Sequence, residues 1–348
     1  MASHDVEVAY FTDPTSIAYL SGLSANPHER LMSLSVREDG STLVVPALEH
    51  QKAEQRVKGM QVLSWRDGDD PYMCVRQALA NKKRVAVEME HLTVSRAEAL
   101  RRHAAAELVA DVGVEVRRLR LIKDPDEVAK LQRAAEINDA ATDVVFSGLA
   151  VGRSEFEVAL AVGSAVAAAE ATLAFDTSVQ VGPNSALPHH DPGARRIAAG
   201  DLILIDFGAA FGGYRADTTR VAVAGEPTQR QLEIHKLVLE AHDAAIAAVR
   251  PGVTTASIDK AARDVISAAG LGDRFFHRVG HGLGLENHED PSLEAGSQTV
   301  LEPGMVFTIE PGVYIPDWGG IRIEDDVVVE RNGWRLLTKA DRSLRKTL

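Results

Sequence analysis

The stretch LILIDFGAAFGGYRADTTR, residues 202–220, decides the fold of this chain together with a second stretch of the same design, MVFTIEPGVYIPDWGGIRIED, residues 305–325. In each stretch an apolar run leads into an acidic residue, and a Gly-Gly-x-Arg-x-acid segment closes the pattern. The acids are Asp206 and Asp217 in the first stretch, and Glu310 and Glu324 in the second. The sequence therefore predicts two similar β-hairpins, each carrying a pair of carboxylates.

These four carboxylates are predicted to lie in or beside a hydrophobic core. Apolar runs such as residues 202–205 and 305–309, bounded by glycine, are typical of buried strands joined by a turn. A fold of ordinary stability cannot bury four clustered anions unless cations are bound among them or protons are taken up. Bound metal is the simplest compensation.

A further candidate ligand, His281, lies between the two hairpins in the segment GHGLGLENHE, residues 280–289. Carboxylates with one imidazole suit two divalent first-row ions that share ligands, typically about 3.5–4 Å apart. The pattern predicts a metal-dependent hydrolase.

Composition restricts the class of protein. At 348 residues with 45% hydrophobic residues, the chain is long enough for two domains. Its 38 basic and 50 acidic residues give a net charge of -12, which argues against nucleic acid or an anionic membrane as partner. The single cysteine, Cys74, excludes an internal disulfide framework and favours a small core residue. No apolar segment reaches the roughly 18 residues of a membrane span, so we expect a cytoplasmic protein.

Residues 1 to about 120 predict an α/β unit without a ligand cluster of its own. Strand-like and helix-like segments alternate here, at residues 31–36, 41–45, 46–57, 71–80, 84–88 and 94–105. The dipeptide Asp39-Gly40 predicts a hairpin turn between the first two. We expect this part to shape the molecule and not to catalyse.

From about residue 121 the chain predicts a repeat of two helices followed by a hairpin. Asp124, Pro125 and Glu127 form a helix-start signal, with a capping residue, a first-turn proline and a capping-box acid. The helix start after Gly152 is echoed after Gly252. We therefore predict two similar halves related by a pseudo-twofold axis, with the acids meeting at their junction. A chance likeness of two common α+β units is the alternative.

These motifs resemble those of the proline-specific metallopeptidases with the pita-bread fold, which comprise Xaa-Pro aminopeptidases (aminopeptidase P) and Xaa-Pro dipeptidases (prolidases). The resemblance rests on five motifs in the family's order: IDFG at 205–208, YRADTTR at 214–220, GHG at 280–282, IEPG at 309–312 and RIED at 322–325. It implies an α+β fold, with a smaller N-terminal α/β creatinase/prolidase-like domain at residues 1–120 and a duplicated, pita-bread catalytic domain at residues 121–348.

The resemblance also implies a dinuclear metal centre. Manganese is the expected metal, with cobalt, zinc or iron as alternatives. The implied ligands, of which Asp217 and Glu324 would bridge the ions, are Asp206, Asp217, His281, Glu310 and Glu324.

Further residues are implied to catalyse or to bind substrate. Glu310, His288 and His189 would be catalytic, and His190 is a neighbouring competitor for the role of His189. His277, Arg322 and Tyr314 would bind substrate. Two of these have a structural alternative, because Arg322 is equally suited to be an ion-pair partner that offsets the excess negative charge beside Glu324, and Tyr314 could simply pack.

The expected reaction is hydrolysis of the bond before proline, in peptides with proline in second position, by a homodimeric Xaa-Pro aminopeptidase. A dipeptidase must recognise a free carboxylate, for which arginine is well suited, and some family dipeptidases resemble one another in carrying an arginine shortly after the His-Glu pair. Residues 288–294 read HEDPSLE and contain none, which favours the aminopeptidase. The Xaa-Pro dipeptidase is the alternative, since Arg322 or a basic residue of the N-terminal domain or of a partner subunit could bind the carboxylate.

Other functions on related folds fit less well. A non-catalytic binding module and a creatinase-like hydrolase that works without metal are both disfavoured, because all five ligand positions are intact. Methionine aminopeptidases share the ligand pattern, but they fit poorly with the leading domain of residues 1–120 and with the Leu187-Pro188-His189 segment.

Overall fold

The computed structural model describes residues 5–347, and the chain divides between Leu119 and Arg120 into two compact units. The first unit is built on a six-stranded mixed sheet in the order β4-β3-β2-β1-β5-β6. Its strands are β1 (Val8–Phe11), β2 (Ser33–Arg37), β3 (Gly40–Pro46), β4 (Gln61–Trp65), β5 (Arg84–Val87) and β6 (Glu107–Asp111). Its helices are α1 (Pro14–Ser21), α2 (Ala47–Arg56), α3 (Pro71–Ala78), α4 (Val94–Ala104) and α5 (Gly113–Leu121), within which the division falls.

Both faces of this sheet are covered. Successive residues of a strand point to opposite faces, and accordingly Val8 and Tyr10 of β1 belong to one buried cluster, whereas Ala9 and Phe11 belong to another. Cys74 is half-buried and packs against the first of these clusters.

The local signals in this unit are confirmed. Strands β2 and β3 form the predicted hairpin, but its two-residue turn is at Glu38 and Asp39, one residue before the predicted Asp39-Gly40, because Gly40 pairs with Arg37 and begins β3. The predicted helices are α2, α3 and α4, with ends shifted by one or two residues.

The second unit contains the repeated helix pairs and the hairpins. Its helices are α6 (Pro125–Ser147), α7 (Glu155–Ala168), α8 (Gln229–Ala248) and α9 (Thr255–Ala268). Its strands are β7 (Thr172–Leu173), β8 (Ser178–Val181), β9 (Leu202–Phe207), β10 (Ala209–Phe211), β11 (Tyr214–Arg215), β12 (Thr218–Ala224), β13 (Gly280–Gly282), β14 (Glu289–Leu293), β15 (Val306–Ile309), β16 (Gly312–Ile315), β17 (Gly319–Arg322), β18 (Asp325–Glu330), β19 (Gly333–Leu336) and β20 (Arg345–Thr347). As predicted, Asp124 and Glu127 form a capping box at the start of α6.

Each carboxylate pair flanks a small hairpin nested within a larger one. Strand β9 pairs antiparallel with β12 around the β10–β11 hairpin, and β15 pairs antiparallel with β18 around the β16–β17 hairpin. In the first ladder Asp206 lies opposite Thr219, two residues after Asp217, and in the second Ile309 lies opposite Asp325. In each case the outer strands pair where the inner hairpin begins and ends, so the two acids that flank the inner hairpin come together.

Strand β9 separates the two helix pairs. Ile203 and Ile205 face a buried cluster with residues of α6 and α7, whereas Leu202 and Leu204 face a cluster with residues of α8, α9 and β15. Because side chains alternate along a strand, Asp206 continues the second face. The carboxylates therefore lie where the β20-β12-β9-β8 sheet meets the β14-β13-β15-β18-β19 sheet.

Close backbone packing requires glycine on both sides of His281. A Cβ at Gly280 would lie 1.9 Å from the carbonyl oxygen of Thr308, and one at Gly282 would lie 2.1 Å from that of Asp290. Both neighbours are backbone atoms, so no side-chain rotation relieves the clash. The Gly-His-Gly motif thus holds β13 tightly between β14 and β15. Among residues 5–347, no helix combines the length and the apolar character that crossing a membrane requires.

Candidate metal centre and substrate cavity

The predicted metal ligands and the predicted catalytic and substrate-binding residues line one cavity of about 790 Å³ in the second unit. This volume is within the range of pockets that bind small ligands. The cavity lining includes Asp206, Asp217, His281, Glu310, Glu324, His189, His277, His288, Tyr314 and Arg322.

The predicted metal ligands lie close together in this cavity. Asp217, His281 and Glu324 each offer one ligand atom, and these atoms lie within 4.8 Å of one another. Nε2 of His281 is 3.8 Å from Oδ2 of Asp217 and 3.4 Å from Oε1 of Glu310. Three chain segments that are distant in sequence thus contribute to one cluster.

The electrostatics of the cluster favour a bound cation. Burial, followed by the charges of Glu324 and Asp206, raises the pKa of Asp217 well above its usual range. Burial, followed by the charges of Glu310 and Asp206, does the same to the pKa of Glu324. Burial also raises the pKa of Glu310 to about 7, although Arg322 opposes the shift. In the described part of the chain, Oδ1 of Asp206 and Oδ1 of Asp217 are buried without a hydrogen-bond partner. Buried oxygens with free lone pairs, among carboxylates that repel one another, fit divalent metal ions.

His281 is a neutral imidazole in this setting. Burial, followed by the charge of His288, lowers the pKa of His281 to about 3. Its Nδ1 lies 3.2 Å from the carbonyl oxygen of Gly282, to which a protonated Nδ1 donates. That tautomer leaves the lone pair of Nε2 directed toward Asp217 and Glu310, as a metal ligand requires.

Neighbouring polar groups hold the carboxylates in place. The backbone N–H of Asp217 donates to Oδ2 of Asp326 at 3.0 Å, and Nδ2 of Asn287 donates to Oδ2 of Asp217 at 3.3 Å. Oγ1 of Thr219 donates to Oε2 of Glu324 at 2.6 Å. Asp326 and Asn287 were not predicted as site residues, and their position next to Asp325 and His288 is the only sequence signal for them.

Arg322 is occupied by protein partners. Its Nη2 donates to Oδ2 of Asp206 at 2.6 Å, its Nη1 to the hydroxyl of Tyr314 at 2.9 Å and its Nε to Oγ1 of Thr219 at 3.0 Å. The side chain is buried. This arrangement favours the ion-pair interpretation over substrate binding, and the carboxylate that accepts the hydrogen bond is that of Asp206.

His277 and Tyr314 form one wall of the cavity. Nε2 of His277 lies 3.0 Å from the Tyr314 hydroxyl, and the ring of Phe276 lies 5.5 Å from that of Tyr314. Burial, followed by the charge of Arg322, lowers the pKa of His277 to about 4. His288 is more exposed than His277, its ring lies 4.1 Å from that of His281, and partial burial lowers its pKa as well.

The structure distinguishes His189 from His190. Glu155, in the first turn of α7, is fully buried and accepts hydrogen bonds from the backbone of Val181 and Gly193. Its Oε2 also lies 2.9 Å from Nε2 of His190. His190 is therefore held by the protein, whereas His189 is exposed on the cavity wall, which favours His189 as the substrate contact. Glu155 could not be predicted from the sequence, because no local signal links it to a loop later in the chain.

Arg278 also lines the cavity and was not predicted. It lies between His277 and β13, where no sequence motif marks it as a site residue.

The chain matches two family models. These are metallopeptidase family M24 over residues 129–331 and the creatinase/prolidase N-terminal domain over residues 1–122. They confirm the predicted fold class and the family resemblance.

Named proteins are similar over almost the whole chain. An Xaa-Pro dipeptidase of Lactobacillus helveticus is 36% identical over 347 residues, covering 97% of this chain and 94% of that protein. Among solved structures, a prolidase from Pyrococcus furiosus superposes with a TM-score of 0.90 at 36% identity, covering 97% of each chain. An X-Pro aminopeptidase from Thermotoga maritima superposes with a TM-score of 0.90 at 31% identity, covering 98% of each chain.

Proposed function

Because this chain belongs to metallopeptidase family M24, we propose that it is an Xaa-Pro dipeptidase, which hydrolyses the bond before a C-terminal proline. The observation that carries the proposal is the similarity, at 36% identity over almost the whole chain, to proteins named Xaa-Pro dipeptidase and prolidase. The Xaa-Pro aminopeptidase, favoured by the lack of an arginine after His288 and Glu289, becomes the second candidate, since an X-Pro aminopeptidase is similar at 31% identity.

The residues proposed to hold two divalent ions are Asp206, Asp217, His281, Glu310 and Glu324. Four carboxylates with one imidazole suit manganese, with cobalt, zinc and iron as alternatives. Bound there, the ions would polarise the scissile carbonyl and lower the pKa of a water molecule. A homodimer and a cytoplasmic location are proposed on the family resemblance and the composition.

The remaining side chains are suited to proton transfer and charge stabilisation. The side chain of Glu310 is 15% exposed, so it can accept a proton from the attacking water and pass it to the leaving nitrogen. His288 is placed to donate a hydrogen bond to the developing oxyanion, and His189 to contact the substrate from the exposed wall.

The wall formed by His277, Tyr314 and Phe276 suits proline. Proline has no N–H when it follows another residue, so its recognition depends on the shape of its ring in a largely apolar pocket. Phe276 and Tyr314 supply aromatic surface, and the hydrogen bond between Tyr314 and His277 fixes the orientation of both rings.

The proposal is tested by turnover of the dipeptide Leu-Pro and the tripeptide Leu-Pro-Gly, after reconstitution with Mn²⁺ and in a chelated control. We expect the dipeptide to be cleaved with much the higher kcat/KM, and Leu-Gly to be a poor substrate. Preferred cleavage of the tripeptide at the Leu-Pro bond would make the protein an aminopeptidase. Lack of turnover with every metal would reject both peptidase assignments.

A further inference from the structure

We propose that Arg278 binds the C-terminal carboxylate of the Xaa-Pro substrate and is the residue that makes this site select dipeptides. The inference rests on the proposed dipeptidase function and deepens it. A dipeptide differs from a longer peptide by having a carboxylate directly on the proline, so a selective site needs a cation in the cavity that is free to meet that group.

Among the described residues, the arginines that line the cavity are Arg278 and Arg322. Arg322 is buried and uses its Nε, Nη1 and Nη2 atoms on three protein partners. Its charge is also matched by Asp206 at 2.6 Å. A substrate carboxylate would have to displace Asp206 to reach it, which makes Arg322 poorly suited to this role.

Arg278 is in the opposite situation. It is half-buried, and the hydrogen bond found for its side chain within residues 5–347 is donated by Nη1 to the neutral hydroxyl of Ser292 at 3.2 Å. Within the same residues, no carboxylate lies within 4.0 Å of its guanidinium, although the cavity is rich in acids. A guanidinium carries five N–H donors in a planar fork that matches a carboxylate, so most of this fork is available to a ligand.

The guanidinium is also close enough to the reacting groups to serve them. It lines the same cavity as Glu310, His281 and His288, which come from different segments around the proposed metal centre. Strand pairing explains its position. Arg278 precedes β13, and β14 runs antiparallel beside it with Ser292 opposite His281, so the contact with Ser292 holds the arginine along the sheet beside the metal centre.

A purely electrostatic role is the competing explanation. An arginine that only offsets the negative charge of the cavity would act on every substrate alike. An arginine that binds the substrate carboxylate would act on an acid and not on the corresponding amide. Hydrogen bonds to a charged group contribute about 1.5–3 kcal/mol, which corresponds to roughly 10- to 150-fold in kcat/KM.

The test is the ratio of kcat/KM for Leu-Pro to that for its C-terminal amide, Leu-Pro-NH₂, in the manganese-loaded wild type and in R278Q. We expect the wild type to prefer the acid, and R278Q to lose about 10- to 150-fold on the acid, mainly through KM, with little change on the amide. R274Q is the matched control, because it makes the same charge change at an exposed arginine of the same segment, and it should keep the wild-type ratio.

Each outcome has a distinct meaning. A wild type that prefers the acid, with an unchanged ratio in R278Q, overturns the role of Arg278 and leaves the dipeptidase function in place. A wild type that prefers the amide or cleaves only longer peptides overturns the dipeptidase function, and the role of Arg278 with it. If circular dichroism shows R278Q to be unfolded, R278K replaces it. The lysine keeps the charge but loses the planar fork, so an intermediate ratio supports the proposal and an unchanged ratio overturns it.

Discussion

Two adjacent acids, Glu324 and Asp325, show what burial does to a carboxylate with and without a cation beside it. Both are fully buried. Burial opposes the charge of Asp325, but the charge of Arg220 and the proximity of His242, whose Nε2 lies 3.2 Å from Oδ2 of Asp325, outweigh it, so the pKa of Asp325 falls below its usual range. Glu324 faces other acids, and its pKa rises. The chain thus supplies enough counter-charge for Asp325, whereas at Glu324 the charge of Arg322 does not outweigh burial and the neighbouring acids.

Replacing Asp217 with asparagine is expected to separate metal binding from stability. In chelated protein, D217N removes one of several buried charges that repel one another, so the melting temperature should rise by a few degrees. Mn²⁺ at a free concentration of 100 times its dissociation constant should stabilise the wild type by about 2.7 kcal/mol. The same concentration should stabilise D217N much less. Calorimetry with and without Mn²⁺ measures both effects.

D273N is the control for this comparison. It makes the same change of side chain, but Asp273 is exposed and does not line the cavity. It should leave both melting temperatures unchanged. A D217N protein that keeps the full manganese-dependent increase would remove Asp217 from the ligand set.

At the scale of elements, the sequence predicted what local chemistry determines. Asp124 and Glu127 act within one helical turn, and Glu38 and Asp39 form a turn within one hairpin, so both features could be predicted from adjacent residues. The candidate ligands were predictable for a related reason, because Asp206, Asp217, Glu310 and Glu324 belong to a repeated local pattern of apolar run, acid and Gly-Gly-x-Arg-x-acid, and His281 stands between two glycines.

The supporting residues could not be predicted in this way. Glu155 binds a loop that lies later in the chain, and Arg278 meets Ser292 only because β13 and β14 pair. Such contacts depend on tertiary packing, which adjacent residues do not encode. Residues 288–294 contain no arginine, but the pairing of β13 with β14 brings Arg278 against Ser292 of this segment.

Strand β13 provides a stability test of the close packing around His281. In G282A the new Cβ would lie 2.1 Å from a backbone oxygen, so β13 and β14 must separate. We expect a loss of about 1–3 kcal/mol or more in the free energy of unfolding, measured in urea, together with weaker metal binding.

G163A is the matched substitution within a helix. Its Cβ would meet only the Cδ1 atom of Leu173, at 3.8 Å, inside α7. Because alanine is the better helix former, G163A should raise the free energy of unfolding by about 0.5–1 kcal/mol. Equal losses in both variants would show that packing against β14 is not what requires Gly282.

At the scale of the whole second unit, contacts across the junction join its two halves. Nη2 of Arg220, on β12, donates to Oδ1 of Asp325, on β18, at 2.6 Å, and both residues are buried. The backbone N–H of Glu324 donates to the carbonyl oxygen of Thr219 at 3.3 Å. Breaking a buried ion pair typically costs about 3–5 kcal/mol, so these contacts favour unfolding of the two halves together.

The pH dependence of this unfolding is expected to report on Glu310. Burial raises its pKa to about 7 from a usual value of 4.5. The folded, chelated protein therefore holds a proton that the unfolded chain releases, and this contribution to stability is present below pH 4.5 and is lost as the pH rises through about 7. Glutamine does not titrate, so E310Q does not lose this contribution. Between pH 4.5 and 8 the free energy of unfolding of E310Q, relative to that of the wild type, should therefore rise by on the order of 2–3 kcal/mol.

Urea unfolding of both proteins in chelator, at several pH values in this range, measures the difference. His277 and His281 are present in both proteins, so their effects largely cancel. With Mn²⁺ the trend should reverse, because the metal binds the deprotonated carboxylate. Parallel stability curves for the two proteins would mean that Glu310 keeps its usual pKa in the chelated fold.

The pairing of acids from the two halves also bears on ancestry. Asp206 and Asp217 come from one copy of the repeat, Glu310 and Glu324 come from the other, and Arg322 of the second copy binds Asp206 of the first. A single copy offers two carboxylates and half of a cavity. If one gene segment was duplicated to give this unit, its undivided ancestor could have assembled the four-carboxylate centre only by pairing two chains, and the fusion then made a contact between molecules into a contact within one.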